Sequence, residues 1–239
     1  MTDRGVSEVV SFVLVFSLVI TSVGLVSTVG YSALSDIQAS QEADNGALAF
    51  EVLAADVDAI ESGRAQTQSA DIGTSSGTLG TSASTAVSVA VAGRDWNVTT
   101  GSLFFRSQRT TVAYQSGAVV RQSGPSAVIS APPDITCTPG GVAVVSLVSI
   151  NSTSSSSVSG TSVRVVTRQE SSSLLYPTNR TPSSPVTVEV RVESEMQDAW
   201  ARYFEESDGW TYDSATETAS CSAERVIVRQ TNILVDFRV

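Results

Sequence analysis

No residue from Val9 to Ser35 carries a charge, and this run constrains the chain more than any other feature. It is longer than the ~20 apolar residues that a helix needs to cross a bilayer. A buried core helix would be shorter and interrupted by polar positions. A cleaved secretory peptide would have an apolar core of roughly 7–15 residues followed by a small-residue cleavage site. The run fits neither pattern, so it reads as a retained membrane helix. Arg4, in the short segment ahead of it, favours a cytoplasmic N-terminus. The remainder of the chain is then expected outside the membrane.

The order of residues around the start of the run is specific. Arg4-Gly5 comes first, then Val6-Ser7-Glu8-Val9-Val10, then the apolar stretch. This arrangement resembles the class III signal of type IV pilins, in the form found in haloarchaeal pilin-like proteins. The resemblance implies that a prepilin peptidase cuts between Gly5 and Val6. It implies a leader over residues 1–5 and a transmembrane and assembly helix over residues 6–62. An extracellular β domain is expected over residues 63–239, with other pilin subunits as partners. Bacterial type IV pilins carry a glutamate at the fifth mature position, where this chain has Val10; its acid is Glu8. Glu8 therefore has two readings. One is pairing with a neighbouring subunit's amino terminus during assembly, and the other is an acid that complements the helix dipole. Looser similarity to a group of uncharacterised haloarchaeal pilin-like secreted proteins spans most of the chain. It is carried by the AFEVLAADVD, VAYQSGAVVR and DAWARYFEE segments and implies no biochemical activity.

Beyond the membrane run the helix is expected to continue to about Glu61. Ala43, Phe50, Leu53, Val57 and Ile60 keep heptad spacing, with Glu42, Asp44, Glu51, Asp56 and Asp58 between them. Gly46 reads as a weak point, costing about 1 kcal/mol relative to Ala. Ser62-Gly63 reads as the C-cap. The apolar period then changes to two. The sequence predicts strands over 86–92, 102–106, 111–114, 118–122, 127–130, 142–150, 163–168, 186–192, 225–230 and 233–239. Gln115-Ser116-Gly117 reads as a hairpin turn. Residues 66–86 read as loop with some strand, 151–160 as an exposed loop, and 174–185, with three prolines, as an irregular connector. Ser194 is expected to cap a short amphipathic helix, with Gln197 as its capping-box partner and Met196, Trp200, Tyr203 and Phe204 on one packing face. The fold class is thus α+β: a long N-terminal hydrophobic helix, then a mostly antiparallel, sandwich-like β domain with one short amphipathic helix.

Charge and side-chain chemistry narrow the function. Asp and Glu number 24 against 14 basic residues, a net charge of −10, and every basic residue is arginine. Such a surface repels nucleic acid, whose binding depends on neutralising phosphates. It suits a high-salt environment, where screening relieves carboxylate repulsion. Without histidine or lysine, neither a Ser-His triad nor a Ser-Lys dyad can form. Two distant cysteines do not make a zinc site. Glu205, Glu206 and Asp208 form the densest carboxylate group and read as a solvated helix end. The expectation is a chain with no catalytic, cofactor or metal residues. Cys137 and Cys221 form either one disulfide or two buried thiols. Asn97, Asn151 and Asn179 each open an Asn-x-Ser/Thr sequon, a candidate for N-glycosylation in an exported protein. Two functions follow: a pilin-like structural subunit of an archaeal surface filament, with adhesion as its further role, or a non-polymerising, membrane-tethered extracellular binding domain.

Overall fold

The computed structural model describes residues 3–73, 77–108, 110–152, 157–160, 162–177 and 185–238. The chain divides into two units, Met1–Glu42 and Ala43–Val239. A single helix, α1 (Asp3–Glu61), supplies all the described secondary structure of the first unit and the opening segment of the second. The helix begins at Asp3 rather than Val6. Arg4 and Gly5 therefore lie within the helix instead of preceding it.

Eight strands follow α1: β1 (Thr67–Gly73), β2 (Thr78–Ser82), β3 (Ala86–Val91), β4 (Arg94–Thr99), β5 (Ser102–Ser107), β6 (Thr110–Gln115), β7 (Ala118–Ser123) and β8 (Ser126–Ala131). Next come β9 (Ile135–Cys137), β10 (Val142–Ser152), β11 (Ser157–Val158), β12 (Ser162–Tyr176) and β13 (Val186–Glu193). The short helix α2 (Gln197–Glu206) precedes β14 (Thr211–Asp213), β15 (Thr218–Ala223) and β16 (Arg225–Arg238). The strands form a five-stranded sheet in the order β1-β12-β16-β10-β9, a six-stranded sheet β11-β2-β5-β6-β7-β8, and a five-stranded sheet β14-β15-β13-β3-β4. Pairing is antiparallel except between β10 and β16, which run parallel from Val142↔Arg225 to Ser152↔Val235.

The sheet containing β10 and β16 serves two cores. Ala143, Val145 and Leu147 of β10, with Val226 and Val228 of β16, join a core formed with β3, β13, β15 and α2. Val148 and Ile150, with Ile233, Val235 and Phe237, join a second core with β1, β2, β5, β6 and the α1 residues Ala47, Phe50, Leu53, Val57 and Ile60. Successive strand side chains point to opposite faces. Burial in β16 therefore moves from even to odd positions at Arg229-Gln230, where the strand leaves one core for the other. That phase change makes one 14-residue strand look like two in the sequence, and the expected break at 231–232 is absent.

The Ser/Thr/Gly-rich stretch 66–86, expected as loop with some strand, supplies β1 and β2, because β12 and β5 offer complete antiparallel ladders to segments with little propensity of their own. Other expectations are corrected. The 151–160 stretch holds the end of β10 and the short β11; residues 153–156 lie outside the described residues. β12 runs on to Tyr176 along β16, into the expected connector. β4, β9, β14 and β15 were not expected. For β4 a signal exists: Ala92-Gly93, both at positive φ, form the two-residue turn from β3. Ser116-Gly117 does the same between β6 and β7.

Ser194 does not cap α2. The N-cap is Met196, which makes no side-chain capping bond, and Gln197 is already helical. Ser194 Oγ instead accepts the Met196 N–H and donates to Gln115 Oε1 at 2.8 Å. It thereby ties the helix entrance to β6. The aromatic face of α2 packs as expected: Met196, Trp200 and Phe204 are buried, and Tyr203 donates its hydroxyl proton to the Ile135 carbonyl at 2.9 Å.

Candidate functional site

The first unit carries the feature with the clearest physical consequence. Val9–Tyr31 is helical with a mean hydropathy of 2.6, and none of it is buried. Phe12, Leu18 and Val26 are each about 70% exposed. In water such a surface would aggregate; in lipid it is satisfied. Three of the polar side chains in the run are paired within the helix. Thr21, Ser22 and Thr28 donate their hydroxyl protons to the carbonyls of Ser17, Val19 and Gly24, as an apolar surrounding demands. The helix is long and apolar enough to cross a membrane.

Gly5 and Val6, the residues flanking the expected cleavage point, lie in α1. Glu8 lies in α1 as well, and its side chain is outside the described residues.

In the second unit the C-terminal turns of α1 are anchored by a charged network that sequence reasoning did not find. The Glu61 side chain is only 4% exposed. It accepts a 2.5 Å hydrogen bond from Ser146 Oγ, which in turn accepts from Arg229 Nε at 2.8 Å. Arg229 also pairs with Asp134 at 3.1 Å. Burial raises the Glu61 carboxyl above the usual range, opposed by the Ser146 bond and the Arg229 charge. Tyr114, fully buried beside this network, is pushed far up by burial and then by the Glu61 and Asp134 charges. Only tertiary pairing assembles these residues, so no local motif announces them.

Cys137, at the end of β9, and Cys221, in β15, form a disulfide with Cα atoms 6.5 Å apart, linking two sheets across 84 residues of sequence. Asn97 is exposed on β4, the edge strand of its sheet. Asn151 is exposed near the end of β10, and the Thr153 of its sequon lies outside the described residues, as does Asn179. Glu205, Glu206 and Asp208 are exposed at the end of α2. Among the described residues no group of three or more His, Cys, Asp and Glu side chains could hold a metal ion.

A family model describes the same span as this architecture, from Arg4 to Asp236. The chain belongs to the Family of unknown function (DUF7289). The match covers residues 4–236, and so spans both the apolar helix and the β domain of this chain. Comparison with curated proteins and with solved structures gives no match.

Proposed function

We propose that the chain is a pilin-like structural subunit of a surface filament, inserted in the membrane through α1 and exposing its β domain outside the cell. One observation carries this reading: an unburied, membrane-length apolar run that follows Arg4-Gly5 by a few residues in the sequence and continues, in the same helix, into the core of a β domain. A helix that serves only as an anchor has no need to continue into that core. A helix that must carry its head from membrane to filament does. Processing by a prepilin peptidase between Gly5 and Val6 would free the helix for assembly with other subunits. The acid excess keeps such a head soluble at high ionic strength.

The competing reading, a membrane-tethered extracellular domain that never polymerises, uses the same helix without cleavage. The two separate on the mature N-terminus, read by mass spectrometry of the protein from native membranes. A chain starting at Val6, and starting at Met1 or Thr2 in the Gly5→Val variant, supports the pilin reading. An uncut chain in both refutes it.

A further inference from the structure

We propose that the β domain carries a saccharide-binding groove, selective for sugars bearing a carboxylate or sulfate group. The groove encloses about 310 Å³, at the small end of ligand clefts. Its residues come from β2, β5, β6, β7 and β11, the loop after β2, and the segment leading into α2. All belong to the second unit, so the inference stands whether or not the N-terminal helix is processed.

Three features point to this ligand class. The lining combines the apolar Phe104, Ala113 and Met196 with hydroxyl-bearing residues, among them Ser82, which pairs with Ser102 on the same sheet face as Phe104. A sugar ring presents the matching surface, a C–H face and an O–H edge. The second feature is Arg106. Its guanidinium lies 5.3 Å from the Phe104 ring centroid, and its Nε donates to Thr111 Oγ1 at 3.4 Å. Both contacts restrict the guanidinium plane and leave its terminal nitrogens as a fork suited to a planar carboxylate or a sulfate. Among the described residues no carboxylate lies within ion-pair distance of Arg106, although the chain carries 24 acids.

The third feature is Gln115, which is 3% exposed. Its Oε1 accepts from Trp200 Nε1 at 3.0 Å and from Ser194 Oγ at 2.8 Å. Two donors on the oxygen determine which end of the amide is which, so the nitrogen is the end these bonds leave for a ligand oxygen. Glu195 on the rim supplies an acceptor for sugar hydroxyls. A lipid would need a deeper apolar floor, and a nucleotide would need a phosphate cradle of backbone amides.

The test is ligand-observed NMR and titration calorimetry on the full chain in detergent micelles. The probes are digalacturonic acid and a heparin-derived disaccharide, with cellobiose as the neutral sugar and a hexaglutamate peptide as a plain anion. The acidic saccharides are expected to bind and cellobiose to bind more weakly. Arg106→Gln should lower affinity for the acidic sugars roughly tenfold or more, as loss of a charge-assisted bond implies, and remove the preference over cellobiose. Thr111→Val, which frees the guanidinium while keeping the side-chain shape, should give an intermediate loss. Both variants should keep the wild-type melting temperature, because Arg106 is exposed and Thr111 half-buried. Absence of saccharide binding at millimolar concentration would overturn the proposal. So would equal binding by Arg106→Gln, or hexaglutamate binding as tightly as the acidic sugars.

Discussion

Replacing Gly46 by alanine sets two effects against each other. By helix propensity alone the change stabilises α1 by about 0.8–1 kcal/mol. The structure opposes it. A Cβ on Gly46 would lie 2.7 Å from Phe105 Cδ1 and 3.0 Å from Cε1, where ordinary carbon contacts are about 3.5–4.0 Å. The ring has nowhere to retreat. Phe105 is 1% exposed, and Gly77 approaches its opposite edge, at Cε2 and Cζ. The ring is held between two glycines, one in α1 and one just ahead of β2. Overpacking a tight core costs about 1–3 kcal/mol, so the net expectation is a destabilisation of about 1 kcal/mol, opposite in sign to propensity. Denaturant unfolding of the full chain in micelles, followed by fluorescence of Trp200 and Trp210 in the β domain, measures it. Gly46→Ala in a Phe105→Leu background should cost less than in wild type, with a coupling of about 0.5–2 kcal/mol. A Gly46→Ala protein more stable than wild type by about 1 kcal/mol would refute the close-approach argument.

The remaining predictions concern the disulfide and Glu61. Closing 84 residues with Cys137–Cys221 removes denatured-state entropy worth up to about 4–5 kcal/mol. The double Cys→Ala protein should unfold at markedly lower denaturant, and a loss below about 1 kcal/mol would mean that the bridge adds little beyond the packing around it. Burial raises the Glu61 carboxyl above its ordinary value of about 4.5, so the native state holds this proton more tightly than the unfolded chain. The stability contribution of Glu61 is full below about pH 4.5 and falls as pH rises through the native value. Asp71 and Asp213, lowered by the Arg164 hydrogen bond and the Ala215 N–H respectively, work in the opposite direction. The comparison is therefore wild type against Glu61→Gln across pH. The wild-type advantage should shrink as pH rises above about 4.5, and an advantage that grows with pH would show that the Ser146 and Arg229 contacts outweigh burial.

Local patterns in the chain determined a good deal. The uncharged run from Val9 fixes a membrane-length helix, because composition over some twenty residues suffices for that conclusion. The stripe Ala43, Phe50, Leu53, Val57 and Ile60 marked the face of α1 that is buried, and the alternation from Val186 to Val192 marked β13. Ser116-Gly117 marked a hairpin through its demand for positive φ. In each case the signal and the structure span the same few residues. Tertiary structure alone decided the rest. β1 and β2 are strands because β12 and β5 offer them edges, and not from propensity of their own. β16 reads as two strands until its opposite faces are seen to serve two cores. Gly46 reads as a flaw in the helix until Phe105 is placed against it. The candidate membrane helix was legible for the same local reason. The groove around Arg106 was not, since it gathers Thr81, Phe104, Gln115 and Met196 from positions that only sheet pairing and the docking of α2 bring together.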